Sequence, residues 1–323
     1  MVKANGYGLG AVRVARAALD GGATGLAVAS LEEAHELSGL IAVDQVLMMG
    51  GLTPEHASAA AACGCGIAVS SMEFAKALGD RLAVVPAHLK IDTGMGRFGC
   101  APADAPALAQ FIQESKALRL AGTWTHFASA DSDEAMTRNQ FKRFTDAVAS
   151  LEVDPGMRHA CNSAGARRYP DFALDAVRAG IAMYGCEWPG TKPAMALRSV
   201  VTHLKTVGVG DTVGYGATWR ATEKTAVATV AIGYADGVDR ARSNKGHTLV
   251  RGRRAPLIGV VSMDAITIDV SDIPGAQVGD VVTVIGQDQD EQITAEEVAE
   301  WSGTISWEVL VGLGLRVERR YSE

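Results

Sequence analysis

VKANGYG (residues 2–8) decides how the first half of the chain is read. A lysine so near the start of a sequence ordinarily sits in water, but Lys3 stands where a strand runs into a glycine-rich turn. Downstream, short apolar runs alternate with amphipathic stretches. The runs are GLAVAS (25–30), VLMMGG (46–51), GIAVSS (66–71), AHLKIDTG (87–94), LAGTWTHF (120–127), RHACNSA (158–164) and VRAGIAMYG (177–185). Each has strand length, and each interval can hold a crossover helix, such as APALAQFIQESKAL or NQFKRFTDAVASL. Helix starts carry caps: Ser30 with Glu33 three positions on, and Thr53-Pro54 as N-cap and first helical residue. With VKANGYG as the first strand there are eight β-α units, which predicts a (β/α)8 TIM-type barrel. An open doubly wound sheet competes, but it would prefer a Gly-x-Gly-x-x-Gly turn, which GYGLG matches only loosely, and an acidic residue ending the second strand.

After Gly185 the rhythm changes. CEWPGTKP (186–193) reads as a linker, and β-type runs follow: VVTHLKTV, TAVATVAIGYADG, HTLVRGR, PLIGVVSMDAITIDV and DVVTVIG. One helix, TAEEVAEWSG, precedes the end. The expected division is a barrel over 1–190 and a smaller, mainly β domain over 191–323.

The 323 residues are 48% hydrophobic and 21% charged, as in a soluble globular protein, and the formal net charge of −7 argues against a nucleic-acid partner. No apolar run is long enough to span a bilayer, and the first ten residues lack the apolar stretch of a signal peptide, so none is expected. Five cysteines, including Cys63-Gly64-Cys65, fit no disulfide or zinc spacing; they read as reduced thiols of a cytoplasmic protein with no metal site.

Barrel active sites lie at the C-terminal ends of the strands. There the sequence places Lys3, Lys90 leading through DTGMGR to Arg97, His126, Asn162 and Ser163, then Arg178, Gly180 and Ile181. Singly, Lys3 reads as a solvated lysine, His126 as a structural histidine and Arg178 as an ion-pair partner; together on one rim they point to a site. The last two βα loops commonly bind phosphate, and CNSAG and RAGI offer a hydroxyl and open backbone N–H groups. A phosphorylated cofactor beside a lysine suggests pyridoxal phosphate.

VKANGYGLG resembles the cofactor-lysine motif of the alanine racemase family, the fold-type III pyridoxal-phosphate enzymes. The likeness continues in order through KIDTGMGRFG, WTHFASAD, HACNSAG, VRAGIAMYG, VGYGATW, AIGYADG, GVVSMDAITIDV and GTISWEVL. It implies racemisation of alanine by two bases, supplying D-alanine for peptidoglycan. Lys3 is implied as the lysine carrying pyridoxal 5'-phosphate and as one base. Tyr215 is the other base, reaching the site from the second subunit of a homodimer with shared active sites. Tyr7, Ser163, Gly180 and Ile181 would hold the phosphate, and Arg178, oriented by His159, would face the pyridine nitrogen. Arg97 would steady the substrate carboxylate, with His126 and Asn162 in the surrounding network. Met263 and Asp264 would line the substrate pocket from the second subunit, Tyr234 would stand near its entrance, and Lys90 is the position many members carbamylate. Three departures stand out: Gly214 where a serine often precedes the catalytic tyrosine, RAGI for RPGI, and Leu315 where some members place a phosphate-binding tyrosine. Members also carry a helix and half a strand ahead of the lysine, so the resemblance implies a start called late, at an internal residue of the strand. The rival readings are a serine or lysine racemase, a non-catalytic cofactor-binding barrel, and a decarboxylase, whose carboxylate at the ring nitrogen Arg178 would replace.

Overall fold

The computed structural model describes residues 1–81 and 83–322, and the chain divides into two units, Met1–Met183 and Tyr184–Glu323. In the first, six parallel strands lie in sequence order: β1 (Leu26–Val28), β2 (Val46–Met48), β3 (Gly66–Val69), β4 (Val85–Lys90), β5 (Leu118–Trp124) and β6 (Met157–His159). Helices cross between them and bury one face each. Ala105–Glu114, for example, turns Ala105, Leu108, Ala109 and Ile112 inward, the spacing that one helical stripe requires. β4 is buried along its whole length, as a strand covered on both sides should be.

The two outer runs depart from the strands expected over 2–8 and 177–185. At one edge Val2 N donates to Ala27 O (2.9 Å); at the other His159 bridges Ala176 and Arg178 N donates to Cys161 O (2.9 Å). Met1 N donates to Ala179 O (2.8 Å), which joins the two edges and completes the ring of a barrel. Beyond Val2 the chain leaves strand geometry, because Ala4, Asn5, Gly6 and Tyr7 all take positive φ, between 52° and 59°. Such a left-handed turn disfavours L-residues by about 1–2 kcal/mol each, so outside contacts must hold it. Glu33 supplies one: its carboxylate accepts from Ala4 N and from Ala29 N, both at 2.7 Å. Ser30 caps its helix by accepting from Glu33 N, but Glu33 reaches across to the turn instead of back to the cap. The eighth run gives way to a 3-10 turn, Ile181–Tyr184.

The second unit is mainly β: β7 (Leu197–Val207), β8 (Thr212–Val213), β9 (Trp219–Arg220), β10 (Thr225–Val230), β11 (His247–Val250), β12 (Arg253–Ile258), β13 (Ile266–Asp269), β14 (Val281–Asp288) and β15 (Glu291–Ile293). The order β11-β12-β13-β10-β7-β14-β15 closes on itself, because β11 also pairs with β14; β8 and β9 form a separate hairpin. Residues 186–193 are not a free linker. Cys186 is buried, Glu187 N donates to Glu296 Oε1 (2.7 Å), and Ser306 Oγ donates to Glu187 Oε1 (2.6 Å), so the segment belongs to this unit. No helix among the described residues is long and apolar enough to cross a membrane.

Candidate active site

The left-handed turn sets Lys3 at the barrel rim. Its amine is partly exposed, and its pKa is lowered by burial first and by the Arg97 guanidinium second, with Glu33 opposing. Asn5 anchors the turn to the next helix by accepting from Ala11 N (2.9 Å).

Across the rim, Asn162 caps a short helix by accepting from Gly165 N (2.9 Å), which fixes Ser163 at its start. Ser163 Oγ accepts from Gly180 N (2.8 Å) and Ala182 N (3.4 Å), while Ile181 between them is buried. Tyr7 closes the group: a Cβ built on Gly180 would lie 2.8 Å from its hydroxyl. Only glycine admits that approach. Burial raises the Tyr7 phenol to about 12, so it stays protonated and can donate.

Arg178 occupies the centre of the mouth, 8% exposed. Nη1 donates to His159 Nδ1 (2.7 Å); Nη2 donates to Thr125 O and Ala160 O (both 2.8 Å) and approaches His126 Nδ1 (3.2 Å). Nε is buried with no hydrogen-bond partner. Burial lowers the guanidinium to about 9, which leaves it charged at neutral pH. Lys90, 1% exposed, donates to Ile91 O (3.0 Å) and sits 4.9 Å from the Trp124 ring centroid; Arg178 lies over the same ring at 5.1 Å. Burial lowers Lys90 to about 8, with Asp92 pulling the other way. Asp92 is occupied in shaping the DTGMGR loop, where it accepts from Gly94, Met95 and Gly96 N. That loop presents Arg97 outward, over the Phe98 ring.

His126 registers the resulting field. Its pKa is pushed well below the usual histidine value by burial, then by Arg178, Arg97, Lys90 and Lys3 in turn. His159 is depressed by burial and Arg178, and His88 to about 4 by burial and Arg119. The mouth is a cluster of cations around neutral imidazoles.

The remaining candidates gather within the second unit. Tyr215, on a 3-10 turn after Gly214, is 71% exposed; Met263 and Tyr234 are also exposed. Tyr234 N donates to Ser262 O (3.0 Å) and Ala235 N to Met263 O (3.1 Å), so the loops of Tyr234 and Met263 run side by side. Arg316 ties them. Its Nε contacts Asp236 Oδ1 (2.6 Å), and Nη2 contacts Asp264 Oδ1 (2.6 Å) and Met263 O (3.3 Å). Its neighbour Leu315 is 96% exposed. Sequence reading missed Arg316, Asp236, Glu33 and His88. Glu33 has only the spacing of a cap partner for Ser30, and none of the four signals the residue distant in sequence on which it acts.

Two family models cover nearly the whole chain: alanine racemase, N-terminal domain, over residues 1–187, and alanine racemase, C-terminal domain, over 194–321. The alanine racemase of Sorangium cellulosum is 40% identical over 345 residues, covering 100% of this chain and 91% of that protein. The crystal structure of alanine racemase from E. faecalis superposes with a TM-score of 0.91 at 36% identity, over 98% of this chain and 88% of that one. A histidine racemase from Leuconostoc mesenteroides gives 0.89 at 30% identity, over 100% and 90%. Two matching domains in the right order, and relatives this similar along about nine-tenths of their own length, make this chain a member of the alanine racemase family.

Proposed function

We propose that this chain interconverts L- and D-alanine, using pyridoxal 5'-phosphate held in the barrel mouth. The observation that carries the reading is Arg178 Nε: a buried, charged donor without an acceptor, at the centre of a mouth lined by cations. A buried donor left unpaired costs about 1–3 kcal/mol, so an acceptor from outside the chain belongs there. The pyridine nitrogen of the cofactor is such an acceptor. The residues fit the rest of it as well: the Ser163 hydroxyl, whose oxygen already accepts from the N–H groups of Gly180 and Ala182, converges with the Tyr7 phenol as a donor for a phosphate beside Gly180 and Ile181, and Lys3 has the lowered pKa a nucleophilic amine needs.

When bound, the cofactor supplies the electron withdrawal that acidifies the substrate α-carbon. The chain's own residues handle the proton. Lys3 removes or returns it on one face. Tyr215 does so on the other, contributed by a second copy in a homodimer with shared sites; its exposure, with that of Met263 and Leu315, is that of a surface awaiting cover. Arg97 meets the substrate carboxylate, and Met263 and Asp264 of the second copy bound the pocket, with Tyr234 at its entrance. Arg178, always a donor toward the ring nitrogen, discourages its protonation and weakens it as an electron sink, which favours return of the proton over transamination. Lys90 near 8 has the uncharged fraction that adds carbon dioxide, and a carbamate there would place an anion among these cations.

The histidine racemase on the same fold keeps a second reading open, a racemase of another amino acid. Proton-to-deuteron exchange at the α-carbon decides. The purified chain with cofactor should exchange and interconvert both enantiomers of alanine faster than serine, lysine or histidine. A faster amino acid in that panel transfers the reading to it, and no exchange with any of them refutes it.

A further inference from the structure

One pair among the five cysteines stands apart. Cys63 ends the helix Ala57–Cys63, Cys65 leads into β3, and Gly64 between them lies in the left-handed region at φ +73°. A strand would hold such side chains about 7 Å apart, and a helix would point them in different directions. The left-handed residue turns the chain back instead, so the two Sγ atoms meet at 3.2 Å. Cys65 is fully buried in the barrel's outer core and Cys63 is partly exposed. The other three cysteines are buried singly; Cys161 donates to Phe172 O and Cys186 to Tyr184 O.

We infer that Cys63 and Cys65 form a peroxide-oxidisable dithiol, a modification site that closes to an intramolecular disulfide. The division of labour follows exposure. Cys63 is the thiol that peroxide can reach; burial and the adjoining sulfur hold Cys65 protonated and unreactive until a partner sulfur is activated. The Cys63 thiolate attacks one peroxide oxygen: an S–O bond forms, the O–O bond breaks, and hydroxide leaves as water after taking up a proton. Cys65 Sγ then attacks the sulfenic sulfur of Cys63. The S–S bond forms, the S–O bond breaks, and the departing hydroxide takes the Cys65 proton as a second water. Two thiols lose two electrons and one peroxide becomes two waters. The pair precedes the first residue of β3, whereas the catalytic candidates lie at or beyond the carboxyl ends of the strands, so the modification is independent of the reaction.

The test exposes the cofactor-loaded protein to graded hydrogen peroxide and reads the peptide spanning residues 63–65 by mass. The expected product has lost two hydrogens and recovers them with dithiothreitol. Cys65→Ser should stop at a sulfenic acid on Cys63 that dimedone captures, and Cys63→Ser should leave Cys65 unmodified at the same dose. Oxygen uptake at Cys63 of the unmutated chain without loss of the two hydrogens, or oxidation of Cys100, Cys161 or Cys186 at least as fast, would overturn the inference.

Discussion

Replacing Gly180 with alanine should weaken cofactor binding about tenfold, and in a chain that already lacks the Tyr7 hydroxyl it should cost nothing further. An alanine Cβ at this position would stand 2.8 Å from the Tyr7 hydroxyl, whereas ordinary contact begins near 3.4 Å, so the ring must retreat about 0.6 Å. Tyr7 has little room: it is 5% exposed and belongs to a left-handed turn pinned at both ends. Overpacking of this kind costs ~1–3 kcal/mol, a factor of about 5 to 150 in affinity. Tyr7→Phe alone should lose one hydrogen bond, worth ~1–2 kcal/mol. The double variant removes the very atom that alanine meets, so it should bind no worse than Tyr7→Phe alone. Titrating pyridoxal phosphate into each apoprotein and following its absorbance gives the four affinities of the cycle, and melting curves show whether the variants remain folded. If the two losses simply add, the hydroxyl is not what confines residue 180, and the cradle is wrongly assigned.

Three further outcomes follow from the same geometry. Tyr215→Phe should keep cofactor binding but slow proton transfer on one face by roughly 10²–10⁴-fold, read as α-proton exchange started from each enantiomer; equal loss from both, with loss of cofactor, would place Tyr215 elsewhere. Arg316→Ala frees Asp236 and Asp264 from their common partner, so it should raise the KM for alanine more than it lowers kcat, and Arg316→Lys should restore part of it; an unchanged KM counts against the loop's role. Acid should destabilise the first unit. His88, His126 and His159 are depressed in the fold and near 6.5 when unfolded, so as pH falls below 6.5 the unfolded chain takes protons first, and up to about 1.4 kcal/mol per pH unit is lost for each. Urea titrations between pH 5 and 7 measure that slope, and a flat profile would mean the imidazoles take up protons as readily in the fold as in the unfolded chain.

The repeating alternation of apolar runs and helices was legible because each unit is local: three to seven strand residues and one helical stripe can be read in place. Six of the eight runs accordingly form the sheet. The first and eighth runs carry the same apolar signal, yet each contributes only isolated pairings, because distant residues claim them. Glu33 draws Ala4 into the left-handed turn, and Ser163 takes the Gly180 N–H. Glu33 shows the limit well. Three residues after Ser30 it has the spacing of a cap partner, and nothing near it reveals a ligand 29 residues upstream. The catalytic candidates were legible through motifs, whose order along the chain survives without any knowledge of distance. The cation field around His126 was not, since it sums four side chains from three separate parts of the barrel.

That field also explains why Arg178 is held in one orientation. An arginine in a mouth this positive, with no carboxylate beside it, would swing toward solvent unless its donors were captured. Thr125 O and Ala160 O capture Nη2, and His159 captures Nη1. A guanidinium only donates, so His159 Nδ1 must accept. The proton of the neutral ring therefore sits on Nε2, which faces His88 Nδ1 at 3.5 Å, and His88 is neutral too. Proton assignments run outward from the arginine in one direction through two imidazoles, and that direction holds only while both rings stay uncharged. Protonating His159 would turn its Nδ1 from acceptor to donor and set it against Nη1. The burial that keeps these histidines neutral is thus what holds Nη1 and Nη2 in place and leaves Nε as the guanidinium nitrogen with no partner among the described residues.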